Sequence, residues 1–216
     1  MPYKSLDLNE GGYPKLLKEI QDPPQKIYLR GSEDLLNKPA VAIVGTRSAS
    51  QKGKEIAKEF AKEISRGGYV VISGLALGID ASAHRGALEG GNTIAVLGTN
   101  IANIYPQENI ALSEKILENG LIISEHGEDD ATDKEDFLRR NRIISGLSLA
   151  VIVIEAPKIS GALSTARHAA EQGRDVFVVP GAIDDPNYIG SHELIRDGAI
   201  LVKSVQDILE DISLKI

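Results

Sequence analysis

"VAIVGTRSASQKGKEIAKEFAKEISRGGYVVISGLALGIDASAHRGAL" spans residues 41–88, and the order of its patterns decides the fold. An apolar run, Val41–Val44, ends at Gly45. A segment with Ile56, Phe60 and Ile64 at four-residue spacing follows and stops at Gly67-Gly68. A second apolar run, Tyr69–Ile72, leaves through Ser73-Gly74 and Gly78 into a helical pattern over 79–89. Apolar residues four apart share one helix face, whereas a continuous run of β-formers reads as a strand covered on both faces. Strand, helix, strand, helix in that order predicts parallel pairing, since the intervening helix carries the chain back to the same edge of the sheet.

The pattern continues outward. Runs at Thr93–Leu97, Leu121–Ile123, Leu149–Ile154, Val176–Val179 and Ile200–Val202 predict further strands, with helices over 108–119, 137–146, 162–172 and 205–212 between them. The expected fold is α/β: a Rossmann-like, doubly wound, mainly parallel sheet with helices on both faces. Residues 1–38 differ, offering a short helix, a Pro23-Pro24 breaker and one extra strand at Ile27–Leu29. They are expected to extend the same unit, so that 1–216 form a single domain, as 216 residues and 23.2 kDa allow.

Composition narrows the function. With no cysteine, disulfide frameworks and thiolate zinc or iron-sulfur sites are excluded. The first residues carry no apolar run of signal-peptide length and no segment reaches about 18 uninterrupted apolar residues, so no membrane role and a cytoplasmic location are expected. Net charge is -7 with a pI near 5.2, which by itself argues against a polyanion as partner. The charge is unevenly spread: acidic residues crowd Glu125 to Asp136 and Asp207 to Asp211, while "RRNR" at 139–142 is basic.

Gly45, Gly74, Gly98 and Gly181 follow predicted strands, and Ser160-Gly161 sits shortly after another. Carboxyl ends of parallel strands share one edge, where glycine lets backbone approach a ligand and helix N-termini aim free N-H groups at it. An anion is the expected ligand, held by Gly45, Thr46, Ser73, Gly74, Gly78, Ser160 and Gly161. The G-x-G-x-x-G, Walker A and G-x-S-x-G patterns are all missing, which removes the main sequence support for dinucleotide binding, conventional NTP hydrolysis and serine-esterase chemistry; no cofactor is expected. Asp80 reads as an N-terminal helix residue complementing the dipole. Asp80 and His84, four apart, make only half of a metal or acid-base site; no metal and no catalytic residue are assigned. Arg47 stands just beyond the first parallel strand, and Lys134, Phe137, Arg140 and Arg142 precede another. Bases interleaved with an aromatic are the combination by which proteins hold single-stranded nucleic acid. Taken alone, these residues leave Arg47 open to a surface ion pair and Phe137 to a core position.

With these residues in view, the chain resembles the DNA-processing protein A family, also called DprA or Smf. The match runs from about Tyr13 to Ala199 through "AIVGTRSAS", "SGLALGIDASAH", "TIAVLGT", "YPQEN", "RNRIISGLS", "SGALSTARHAAEQGR" and "VPG", in that order. The resemblance implies an extended Rossmann-like domain, without catalytic activity, that binds single-stranded DNA, forms a homodimer and helps load the RecA recombinase in natural transformation. It also implies Arg47 as the main phosphate-binding arginine, Lys134 as a further basic contact and Phe137 as the base contact. Phe137-Leu138 stands where the family has Phe-Pro. The family's usual N-terminal helical and C-terminal winged-helix-like domains have no counterpart in these residues, so their roles are not carried over. The alternative is an enzyme, because the LOG proteins, which release a base from nucleoside monophosphates, resemble the same architecture. Their Pro-Gly-Gly-x-Gly-Thr stretch is Pro180-Gly181-Ala182-Ile183-Asp184 here, leaving Glu125 or Glu155 to serve as the carboxylate. A third reading, compatible with DNA binding, has the acidic stretches recruit RecA or another partner.

Overall fold

In a computed structural model, which describes residues 3–213, the buried runs assemble into one nine-stranded sheet of order β1-β2-β6-β5-β4-β3-β7-β8-β9. Its strands are β1 (Lys4–Asp7), β2 (Lys26–Gly31), β3 (Ala40–Val44), β4 (Val70–Ser73), β5 (Thr93–Leu97), β6 (Leu121–Ser124), β7 (Ala150–Val153), β8 (Asp175–Val178) and β9 (Ile200–Leu201). All pairs from β6 across to β9 are parallel; β1 and β2 add an antiparallel flank beside β6. Every residue of β3 through β7 is buried, as continuous apolar strands require when both faces are covered. Within β3 the pleat divides the work: Ala40, Ala42 and Val44 join one apolar cluster, Val41 and Ile43 another.

Helices cover both faces: α1 (Lys15–Lys18), α2 (Gln51–Arg66), α3 (Ile79–Gly90), α4 (Ile110–Asn119), α5 (Lys134–Arg139), α6 (Asn141–Gly146), α7 (Gly161–Glu171), α8 (Ile189–Arg196) and α9 (Val205–Ser213). The stripe predicted from residues 56, 60 and 64 is real: Ile64 is buried in the cluster with Ala57 and Ala61, and Ile56 and Phe60 pack against it. α3 lies directly on α2. A Cβ on Gly86 would come within 1.9 Å of the Lys58 carbonyl oxygen, so only glycine permits this backbone contact.

Three elements differ from expectation. The helix predicted over 137–146 divides at Arg140 into α5 and α6. The polar sequence of β1 buries only Leu6, and α8 buries only Gly190 and Ser191, so neither announces itself by a strong apolar period.

His84 of α3 is fully buried, and its Nδ1 lies 2.7 Å from the Thr93 hydroxyl, which donates to the Val71 carbonyl and so accepts from His84. Nδ1 therefore carries the proton, and Nε2 is buried with no partner. Burial, with the Arg140 and Arg85 charges adding to it, pushes this imidazole from 6.5 down to about 3. The unfolded chain accordingly takes up a proton in a range where the folded one does not, and stability falls as the pH drops from 6.5 toward 3. Between pH 7 and pH 4 the loss from this one group is roughly 3 kcal/mol. Denaturant titrations of wild type and His84→Asn at both pH values check it: the variant is expected to lose less on acidification, and equal losses would show that His84 is not the source.

Candidate functional site

At β3 the strand order reverses, with β4 on one side and β7 on the other. Connections leaving the carboxyl ends of β3 and β7 run to opposite faces of such a sheet and leave a crevice between them, the place where open α/β sheets bind ligands. Here it is a cleft of about 360 Å³, lined by Gly45, Thr46 and Arg47 after β3, by Ile159, Ser160 and Gly161 after β7, and by Lys134, Phe137 and Leu138 of α5.

Backbone packing fixes the Arg47 turn. A Cβ on Gly45 would meet Ile79 at 2.5 Å, and one on Gly78 would lie 2.4 Å from the Thr46 carbonyl oxygen. Gly78 also has φ +77°, a conformation that penalises other residues. The turn after β4 therefore rests on the turn after β3, and the two share one rim. Glu155, at the end of β7, holds the same segment from the other side: its carbonyl accepts from Thr46 N at 2.8 Å, and its fully buried carboxylate accepts from Ser50 N at 2.9 Å and from the Ser50 hydroxyl. Tyr188 donates to the same carboxylate at 3.3 Å. Ser50 in turn caps α2 by accepting from Gly53 N.

On this rim the exposed Arg47 guanidinium lies 5.9 Å from the centre of the Phe137 ring, and Tyr105 meets the same ring edge-on at 5.5 Å. Phe137 and the exposed Lys134 are carried by α5, which begins in a capping box between Asp133 and Asp136. Part of the acidic stretch thus serves to start the helix that presents Lys134. The N-terminus of the eleven-residue α7, capped by Ser160, also opens on the cleft.

The floor is built from buried charge. Arg140 is 6% exposed; its Nη1 donates to the Gly74 carbonyl at 2.8 Å and to that of Val96, and its Nε to Asn141 at 3.2 Å. Asp80 accepts from Gly74 N at 3.1 Å. Burial pushes the Asp80 carboxyl up, opposed by the Arg140 charge and the Ala76 and Gly74 amides; burial likewise brings Arg140 down to about 10, opposed by Asp80. Asp80 is thus a cleft-floor residue rather than only a helix-end charge.

Four expected site residues sit differently from expectation, the first being Gly78, which packs on the Thr46 and Arg47 carbonyls and lines neither the cleft nor the recess beside it. Arg140 lines the cleft, but its Nη1 and Nε are spent on protein acceptors. Arg142 is 5% exposed, lies outside the lining, and binds Glu125 at 2.9 and 2.7 Å and Asp22 at 3.0 Å. Ser73 is fully buried and donates to the Ile43 carbonyl at 2.7 Å. For Arg140, Arg142 and Ser73 a buried donor must find an acceptor, and the fold supplies one within the protein. Gly74 faces a smaller recess beside the cleft, with Leu77, Tyr105 and Pro106. Neither Glu125 nor Glu155 lines the cleft; one is held by Arg142 and the other by Ser50 and Tyr188. Among the described residues no group of three or more His, Cys, Asp or Glu could hold a metal ion. Asp80, Tyr105, Leu138 and Ile159 were not expected at the site.

The sequence profile of the family described as DNA recombination-mediator protein A matches residues 4–213. The DNA processing protein DprA of Streptococcus pneumoniae is 43% identical over 210 residues, covering 97% of this chain and 74% of that protein, and its crystal structure superposes with a TM-score of 0.92. The DprA of Bacillus subtilis is 41% identical over 210 residues, covering 96% of this chain and 71% of that protein. DNA processing protein A of Helicobacter pylori, whose structure is described for a single-stranded DNA binding mode, has a TM-score of 0.89 at 34% identity, covering 100% of this chain and 97% of that one.

The two cleft arginines should separate by stability. Arg140→Met leaves Asp80 buried without its countercharge and is expected to cost roughly 3–5 kcal/mol, whereas Arg47→Ala, at an exposed position, should stay within about 0.5 kcal/mol of wild type. Urea denaturation midpoints decide it; similar midpoints for all three proteins would contradict the structural role given to Arg140.

Proposed function

The chain belongs to the DNA recombination-mediator protein A family, and on that premise we propose that it binds single-stranded DNA along the rim formed by the Arg47 turn, α5 and the start of α7. One observation carries the reading: an exposed guanidinium beside an aromatic ring at the reversal point of a parallel sheet. Arg47 takes a phosphate, Lys134 a second, and Phe137 a base face. Backbone at Gly45 and Thr46, with that of Ser160 and Gly161, borders the path of the sugar-phosphate strand; Gly78 supports the Arg47 turn from beneath and Gly74 backs the pocket. Ser73, Arg140 and Arg142 act beneath this surface as supports.

In this reading the protein works in DNA processing and recombination without catalysing a reaction. The single-stranded DNA binding mode described for the Helicobacter relative supports the nucleic-acid partner. A homodimer and transfer of the strand to a RecA-type recombinase accompany the reading through the family resemblance. No helix among the described residues is long and apolar enough to cross a membrane.

Salt titration of oligonucleotide binding tests the site. The logarithm of affinity should fall with the logarithm of salt by roughly 0.7 per phosphate neutralised, and Arg47→Ala should weaken binding by about tenfold or more while making the slope shallower by about that amount. An unchanged affinity and slope would remove Arg47 from the site. Incubation with AMP should release no adenine; release would favour the enzymatic alternative.

A further inference from the structure

Two apolar side chains at the mouth of the cleft have no packing role in the fold. Ile159, just before the cap of α7, is 93% exposed, and Leu138, next to Phe137 on α5, is 54% exposed; both line the cleft, and neither belongs to an apolar cluster of the core. They come from different elements, yet meet the same space over a floor that includes Thr46, Asp80, Arg140 and Asn141. A site that gripped only phosphates would gain nothing from an apolar mouth above a polar floor. Unpaired bases do present apolar faces, which a duplex hides by stacking them on one another.

We propose that Leu138 and Ile159 form an apolar mouth against which bases of an unpaired strand pack, giving the cleft its preference for single strands over duplex. The proposal rests on the reading of the cleft as a single-stranded DNA site. Charge identifies the occupant. Ile159 follows the exposed Lys158, and Leu138 stands one helical turn from the exposed Lys134 of the cleft lining, so an anionic strand can satisfy the apolar and the basic groups together. The other fully displayed isoleucine, Ile183, is 92% exposed but is followed by Asp184 and Asp185, and takes no part.

Exposed positions can be changed without unfolding the protein, so the test uses Leu138→Ser/Ile159→Ser alongside Arg47→Ala. Each is titrated with an ordinary single strand, an abasic strand of the same length, and a duplex. The double variant is expected to bind the ordinary strand about tenfold more weakly, to bind the abasic strand like wild type, and to keep the wild-type salt slope, because no phosphate contact is lost. Wild-type affinity of the double variant for the ordinary strand, or an equal loss on all three ligands, would overturn the proposal. Arg47→Ala separates the two levels: if it weakens binding while the double variant does not, only the apolar mouth fails. If neither changes binding, the strand lies elsewhere and the site reading fails with it.

Discussion

Backbone touching backbone at the ends of β3 and β4 is the constraint on which the cleft depends. The carbonyls of Thr46 and Arg47 lie so close to Gly78 that a Cβ there would fall within 2.4 and 2.6 Å of their oxygens. This contact places the Arg47 turn and the start of α3 on one rim, and Glu155 ties the same turn to the end of β7. The reversal of strand order supplies a crevice in any sheet of this kind. The glycines and one buried carboxylate decide that this crevice has a guanidinium at its lip.

Charge follows the same division between lip and interior. A molecule of net charge -7 presents Arg47, Lys134 and Lys158 about the cleft, while several carboxylates nearby are occupied: Glu125 by Arg142, Asp136 by the Asp133 amide and His126. Such an arrangement keeps attraction local, since at physiological salt charges are screened beyond about 8 Å and the global excess is felt little at the rim. A phosphate within reach of the lip, as the proposed reading requires, would meet the basic groups first.

Much of the scaffold was legible in the sequence because continuous apolar runs and four-residue stripes report burial on two faces and on one. The position of the glycines at strand ends likewise pointed to the edge at which the cleft opens. What sequence could not report was direction. In "RRNR" adjacent arginines meet opposite fates: Arg139 is exposed, Arg140 turns under the cleft to the Gly74 and Val96 carbonyls, and Arg142 reaches Asp22, 120 positions away. Charge counting treats them alike, whereas burial depends on partners that only the fold brings near. Ile159 shows the opposite case: an apolar side chain of the kind that fills the core elsewhere stands here in the open. β1 and α8 escaped notice because each buries too little for a period to show.

The Glu155 carboxylate has a kinetic corollary. Because it binds the cap of α2 and the Tyr188 hydroxyl at once, displacing the Arg47 loop would strand a buried anion, so the receptor surface is set before any ligand arrives. If the cleft takes a single strand as proposed, the conformational freedom lost on association falls mainly on the flexible polymer. Capture should run at a rate governed by diffusion and ionic atmosphere, leaving dissociation as the step through which sequence changes at the lip act.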